Sequence, residues 1–251
     1  MNVTPKKSLG QHFLVDPNIL GVIERLAELK RDDVVLEVGP GLGVLTRFLA
    51  ERVRVVHAAE IDRRLEAELP REENVRIHWG DALALDIPAL DPPPAKLVAN
   101  LPYNIATPLV AETLAVQQLD LWCVMVQREV ADRFFAEPST KAYGAVSVLL
   151  QLATERTGIH AVSREVFRPR PNVESALVAF RRVAPGADER TKRVIEGAFS
   201  HRRKTLANAL ALSGIASREQ AVAALTALNV RDDVRAEALV PQQFVELAEQ
   251  L

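Results

Sequence analysis

The stretch 99-ANLPYNIATPL-109 sets an amide (Asn100), a main-chain carbonyl ahead of a proline (Leu101, Pro102) and an aromatic ring (Tyr103) in four consecutive positions, where the apolar run beginning at Lys96 stops. A turn would account for the Asn and the Pro, but this is a wasteful way to make one. The side-chain oxygen of Asn100 and the carbonyl of Leu101 can each accept one N–H of an amino group. Pro102 stiffens the turn that aims that carbonyl, and Tyr103 offers a flat face on which a base can stack.

Two further groups could bind what such a site needs. In 37-EVGPGLG-43, glycines at 39 and 41 let the backbone turn tightly and approach a ligand, ahead of a helix whose first N–H groups are free. Glu60 ends a second apolar run, 21 positions after Gly39, where a carboxylate can accept both hydroxyls of a ribose. Asp81 ends a third and could accept from an adenine amino group. Each acid alone reads equally well as a helix N-cap or a solvated strand end; three successive run ends carrying the expected group make coincidence a poor explanation. The glycine spacing differs from the G-x-G-x-x-G of dinucleotide enzymes, which disfavours an NAD-dependent oxidoreductase.

The elements that must hold these residues follow from the hydrophobic pattern. Apolar runs at 34–39, 53–61, 75–80, 96–101 and 121–127 alternate with helical stretches such as GVLTRFLAER and TPLVAETLAV, and two more strand-like runs fall near 154–162 and 175–182. Alternation of this kind predicts a parallel sheet covered on both faces, here of seven strands. Asp16-Pro17 predicts the start of a helix reaching about Leu29. Beyond the linker APGAD only helical patterns occur, including one from Ser217 with a Ser-x-x-Gln capping box. The reading is therefore an α/β domain over 1–184, carrying an N-terminal arm, and a small all-helical domain over 185–251.

Composition narrows the class. With 48% hydrophobic and 25% charged residues and no apolar run of bilayer length, the chain reads as a soluble globular protein without a membrane partner. The N-terminus has no apolar segment behind its lysines, so neither a signal nor an anchor is expected. A single cysteine, Cys123, precludes an internal disulfide and points to the cytoplasm. Scattered histidines and one cysteine give no metal-ligand spacing, so no catalytic metal is expected. The formal charge of −2 argues against a nucleic-acid partner on average. It hides local basic groups at Lys6 and Lys7, at Arg164, Arg168 and Arg170, at Arg181 and Arg182, and at Arg202, Arg203 and Lys204, which matter only if they gather around a site.

The order E-x-G-x-G-x-G, then Glu60, then Asp81, resembles the S-adenosylmethionine-dependent methyltransferases, whose Rossmann-like sheet has seven strands, the last antiparallel. Beside such a cofactor the Asn100–Tyr103 motif acquires a task. An adenine amino nitrogen is a poor nucleophile because its lone pair is delocalised into the ring; two acceptors that draw out its N–H bonds localise that pair and aim it. The base must be single-stranded or swung out of its stack, and Phe167, in 167-FRPRPNVES-175, is the candidate for its second face. A core role is the ordinary reading of a phenylalanine, but the surrounding arginines and prolines favour exposure.

Six motifs in order, K-S-L-G-Q-H-F-L, Asn-Leu-Pro-Tyr-Asn, Q-R-E-V-A-D-R-F, Y-G-A-V-S-V, F-x-P-x-P-x-V-x-S and F-S-H-R-R-K-T-L-A-N-A-L, resemble the small-subunit rRNA adenine dimethyltransferases, over about Lys6 to Leu212. The resemblance implies dimethylation of two adjacent adenines in a 3′-terminal hairpin loop of small-subunit rRNA during ribosome assembly, by a monomer. It further implies that His12 and Leu14 border the cofactor with Gly39, Gly41, Glu60, Asp81 and Asn100, and that the helical domain contacts rRNA through Arg202, Arg203 and Lys204. Two rivals share the fold: the large-subunit adenine methyltransferases of macrolide resistance, which the F-S-H-R-R-K tail disfavours, and non-catalytic RNA-binding or transcription factors, which the intact Asn100–Tyr103 motif disfavours.

Overall fold

Runs rich in Val, Ile and Leu become strands, and their burial records where each lies in the sheet. The computed structural model describes residues 5, 6 and 9–251, so Lys7 lies outside the described residues. In chain order the elements are β1 (Phe13–Leu14), α1 (Asn18–Leu26), β2 (Val34–Val38), α2 (Val44–Ala50), β3 (Val55–Glu60), β4 (Val75–Trp79), β5 (Lys96–Asn100), α3 (Ala106–Thr113), β6 (Leu121–Gln127), α4 (Arg128–Phe134), α5 (Ala145–Ala153), β7 (Thr154–Val162), β8 (Phe167–Arg168), β9 (Ser175–Arg182), α6 (Glu189–Ser200), α7 (Leu206–Leu212), α8 (Arg218–Ala227) and α9 (Pro241–Gln250).

Seven strands form one sheet in the order β4-β3-β2-β5-β6-β9-β7. The pairs β2–β3, β2–β5, β3–β4 and β5–β6 are parallel, and β9 runs antiparallel to β6. Every residue of β2 and β3 is buried, as parallel strands covered on both faces require. The edge strands β4 and β7 instead expose polar and charged side chains, which blunts their open backbone edges. The chain leaves β2 toward β3 on one side, and β5 returns on the other. That reversal opens a crevice at the carboxyl ends of β2 and β5, where ligands bind in open α/β sheets.

The first helix is shorter than its pattern. Asp16 Oδ1 accepts the Asn18 N–H at 2.8 Å, so the helix opens where expected. It closes at Leu26 and not Leu29, because Glu28 turns into the left-handed region (φ 47°). Arg181 then pairs with Glu28 at 2.8 Å, which accounts for one of the basic residues noted above.

The chain divides into two compact units, 1–131 with 155–182, and 132–154 with 183–251. The second unit thus takes in a segment from mid-chain, α5 included, where the pattern of helices alone would begin it at 185. Its core contains Phe244, Leu210, Leu225 and the fully buried Tyr143, whose hydroxyl donates to the Leu239 carbonyl at 2.9 Å. The Ser217 capping box is formed, with Gln220 N–H donating to Ser217 Oγ and Ser217 N–H to Gln220 Oε1. Arg202 serves this unit structurally: its Nη2 donates to the carbonyls of Tyr143 (2.8 Å) and Lys141 (3.1 Å).

Candidate active site

A single cavity in the first unit is lined by Gly39, Gly41, Glu60 and Asp81, by all four residues Asn100 to Tyr103, and by His12 and Leu14 of the arm. Every cofactor and catalytic candidate named from the sequence therefore meets in one place.

The β2–α2 turn reaches it because its glycines adopt positive φ, 73° at Gly39 and 59° at Gly41. Both are also tightly approached. A Cβ on Gly39 would stand 3.1 Å from Pro102 Cγ, and one on Gly41 would stand 2.9 Å from Phe13 Cδ1. Absence of a side chain at 39 lets the ends of β2 and β5 close against each other, and at 41 it admits Phe13 of β1.

Glu60, buried at the end of β3, is fixed by two backbone donors: Gly41 N–H to Oε2 at 3.2 Å and Asp62 N–H to Oε1 at 2.8 Å. Burial pushes its carboxyl above the usual range, and these backbone donors pull it back. Each oxygen keeps a further lone pair for a hydroxyl. Asp81 caps the short turn 82–84 by accepting the Leu83 N–H at 3.0 Å, so the N-cap reading and the binding reading hold together. A cradle of bare glycines, a buried carboxylate set for a diol and a second carboxylate one strand over fit a nucleoside cofactor with a sulfonium chain, as S-adenosylmethionine has.

At the tip of β5 the acceptors are free. Asn100 Nδ2 donates to the His12 carbonyl at 3.0 Å, which turns Oδ1 the other way; among the described residues nothing donates to that Oδ1 or to the Leu101 carbonyl. The Leu101 N–H is bound to the Met125 carbonyl at 3.1 Å, so the peptide that presents the carbonyl is anchored to β6. The Tyr103 hydroxyl shares a 2.7 Å hydrogen bond with Ser175 Oγ, and the His12 ring stacks on Tyr103 with centroids 5.3 Å apart. Nδ1–H of His12 donates to the Pro169 carbonyl at 2.8 Å. Burial raises the Tyr103 phenol above its ordinary value, keeping it protonated.

Phe167 departs from its expected place. Its ring is fully buried in the core cluster with Leu14, Met125 and Leu177 and does not line the cavity. The reason is the short antiparallel ladder in which Leu14 faces Phe167 and Phe13 faces Arg168: along β8 one side chain points inward and the next to solvent. Prolines and arginines nearby report the exposure of their own positions, not of the ring between them. Those arginines are also neutralised locally, Arg170 by Glu165 at 2.6 Å and Arg164 by Glu174 at 3.6 Å. In this conformation the ring against Tyr103 belongs to His12.

Four residues have no role in the sequence reading. Ser175, quoted only as the end of F-x-P-x-P-x-V-x-S, orients Tyr103. Gln11 Nε2 donates to Asp62 Oδ2 at 3.1 Å, tying the arm to the turn after β3. Asp62 is held well below the usual carboxylate range, chiefly by hydrogen bonds from Arg64. Glu37 lines the cavity from within β2. Only pairing across distant segments reveals the first two, and no local spacing encodes it.

Known proteins bear on the chemistry. The family model described as ribosomal RNA adenine dimethylase matches residues 2–251. A relative named ribosomal RNA small subunit methyltransferase A in Rubrobacter xylanophilus is 49% identical over 250 residues, covering 97% of this chain and 94% of that one. A second of the same name in Thermobifida fusca is 42% identical over 265 residues, covering 99% and 91%. Among solved structures, a dimethyladenosine transferase from Plasmodium falciparum shares the fold at TM-score 0.76 and 24% identity, over 94% of this chain and 96% of that one. The 23S rRNA methyltransferase ErmE superposes at TM-score 0.63 with 30% identity, over 95% and 99%. With a whole-length family match and relatives this similar, the chain belongs to the ribosomal RNA adenine dimethylase family of S-adenosylmethionine-dependent methyltransferases.

Proposed function

We propose that this protein acts in the cytoplasm as a monomer and transfers methyl groups to the amino nitrogens of two adjacent adenines in the 3′-terminal hairpin loop of small-subunit rRNA, in free rRNA or a partly assembled subunit. The observation that carries the reading is the pair of unengaged acceptors, Asn100 Oδ1 and the Leu101 carbonyl, at the mouth of a cavity built for a nucleoside cofactor. The small-subunit assignment is supported by the name of the relatives at 49% and 42% identity, against 30% for the large-subunit enzyme ErmE. No helix among the described residues is long and apolar enough to cross a membrane.

Bound S-adenosylmethionine supplies an electrophilic methyl group. Glu60 would hold it through the ribose hydroxyls, Asp81 through the adenine, and the glycine turn at 39 and 41 would leave room for it. On the substrate side, Asn100 Oδ1 and the Leu101 carbonyl each take one N–H of the amine, localising the lone pair toward the methyl carbon. Neither has to remove a proton before transfer, since the amine becomes acidic once methylated and sheds its proton to solvent. Tyr103 holds the base by stacking, worth roughly 1 to 3 kcal/mol. The 2.7 Å bond to Ser175 fixes the plane of that ring. Ser175→Ala should accordingly raise KM for the RNA about 2- to 10-fold, the worth of one neutral hydrogen bond, and leave cofactor affinity unchanged in a titration without RNA. A rise in the cofactor Kd of the same size would mean that Ser175 supports the whole cavity and not the ring.

The basic cluster resolves into two parts. Arg202 is engaged with backbone carbonyls, whereas Arg203 and Lys204 are exposed and, among the described residues, make no ion pair. Arg203→Ala with Lys204→Ala should flatten the dependence of log K for RNA on log salt by about 0.7 to 1.8, one or two phosphate contacts, with unchanged melting temperature. Arg202→Ala should instead lower the melting temperature. An unchanged salt slope in the double variant would place the RNA contact elsewhere.

Incubation with labelled S-adenosylmethionine and, in separate arms, undermethylated small subunits, free small-subunit rRNA and large subunits tests the whole proposal. Label on paired adenines of the small-subunit hairpin is expected. Label confined to the large-subunit arm, or to no arm, would overturn it.

A further inference from the structure

Glu37, the fourth residue of β2, lines the same cavity as Glu60 and Asn100 but has none of the contacts that hold those two. It is 1% exposed, and its Oε2 has no hydrogen-bond partner among the described residues; the nearby hydroxyl of Thr46, the one group that favours its charge, does not complete a hydrogen bond with it. Charging a carboxyl in such a place is unfavourable unless a cation comes to it.

None comes from the described residues. From β3 the facing charge is Glu60, of the same sign. From α2 the neighbour is the neutral Thr46, while Arg47 of that helix donates to the carbonyls of Leu42 and Glu68. On β5, Lys96 is engaged by Asp33 at 2.7 Å and the Glu28 carbonyl at 2.6 Å, at the amino end of the strand and away from the cavity. In the arm, Lys6 points to Asp62 at 3.8 Å and His12 is bound to Pro169. Asp81, the remaining charged group of the cavity lining, is again an acid. Burial, reinforced by Glu60, pushes the Glu37 carboxyl up to about 8, and Thr46 alone favours its ionised form.

The ligand expected here is itself a cation. At neutral pH S-adenosylmethionine carries a sulfonium, an ammonium and one carboxylate; the product S-adenosylhomocysteine has lost the sulfonium charge. We propose that Glu37 discriminates between them: its carboxyl is neutral in the free protein, releases its proton to solvent when the sulfonium cofactor binds, and regains one from solvent when methyl transfer leaves an uncharged sulfur. Protons balance at each step, and the proton shed by the methylated amine goes separately to solvent. The consequence is a site that holds the charged cofactor as an ion pair and faces its product with a neutral group. The inference rests on the cofactor reading above but needs no RNA.

Calorimetric titration of the intact protein at pH 7, in two buffers of different ionisation enthalpy, counts protons released per ligand bound. With S-adenosylmethionine the wild type should release roughly 0.5 to 0.9 of a proton, since a group titrating near 8 is about nine-tenths protonated at pH 7. S-adenosylhomocysteine should release clearly less. The sign for affinity follows: the ionised form binds better, so the cofactor Kd should tighten by up to about tenfold per pH unit on approach to pH 8 and level off above it. Glu37→Gln should bind without proton release and with a flat pH profile. Thr46→Val, which keeps the carboxyl and removes the neighbour that favours its charge, should move the profile upward, a result accessible even if Glu37→Gln does not fold. Binding without proton release, equal release by both ligands, or a profile that Thr46→Val leaves in place would overturn the role of Glu37. Failure of wild-type protein to bind S-adenosylmethionine at all would instead overturn the cofactor reading, and this role with it.

Discussion

Asn100→Ala should lower the single-turnover rate of methyl transfer by about a hundredfold or more, a loss of the size seen when one preorganised polar group is removed from a reacting centre. The effect has two sources. The Oδ1 acceptor disappears, leaving the Leu101 carbonyl to orient the amine alone, and the Nδ2 bond to the His12 carbonyl disappears with it, loosening the arm that borders the cavity. Asn100→Asp separates the two in part, because it keeps an acceptor while an anionic oxygen replaces the donor that meets the His12 carbonyl; it should lose less rate than the alanine variant. Cofactor affinity, measured without RNA, should fall less than about tenfold in both, since the residues proposed to hold the ribose and adenine lie on β3 and after β4. A single-turnover rate unchanged in Asn100→Ala would show that this amide does not hold the amine.

How much of this could be read from the chain depends on the range of the interaction concerned. The seven strands and the loop-helix order were legible because burial on both faces writes itself into consecutive apolar residues, as in β2 and β6. The convergence of the candidate site residues at the strand ends was legible for the same reason: the topology brings the carboxyl ends of β2, β3, β4 and β5 along one edge of the sheet, so Gly39, Glu60, Asp81 and Asn100 had to be near one another once the strands were placed. Two-residue ladders carry no periodicity, so β1–β8 was invisible, and with it the inward turn of Phe167. The allegiance of 132–154 to the second unit was likewise hidden, because membership is decided by packing between distant segments and not by helical pattern.

Charge was the least legible quantity. Arg202, Arg203 and Lys204 are identical in kind along the chain, but one guanidinium is taken up by carbonyls of residues 141 and 143 while its neighbours face solvent. Glu37 and Glu60 are both acids on adjacent buried strands. Two backbone N–H groups meet Glu60 and oppose the effect of its burial, whereas among the described residues none meets Glu37. Nothing in the sequence separates them, since the difference lies in the direction of main-chain N–H groups contributed by the turns at 41 and 62.

That contrast makes Glu60→Gln the second large effect. The substitution preserves size and removes the charge, so the two hydroxyls of a bound ribose lose charge-assisted acceptors worth about 1.5 to 3 kcal/mol each. Cofactor affinity should fall about a hundredfold or more in a direct titration. The amide also cannot serve both of its present donors: Gly41 N–H and Asp62 N–H approach different oxygens, and an NH₂ placed on either side meets a donor with a donor. One buried N–H is therefore left unsatisfied, at about 1 to 3 kcal/mol, and the melting temperature should drop by several degrees. The two readouts test different bonds. Loss of affinity with unchanged melting would mean that the turn at Gly41 relaxes to satisfy itself; loss of melting temperature with unchanged affinity would remove Glu60 from cofactor binding and reduce it to a staple between β3 and the glycine turn.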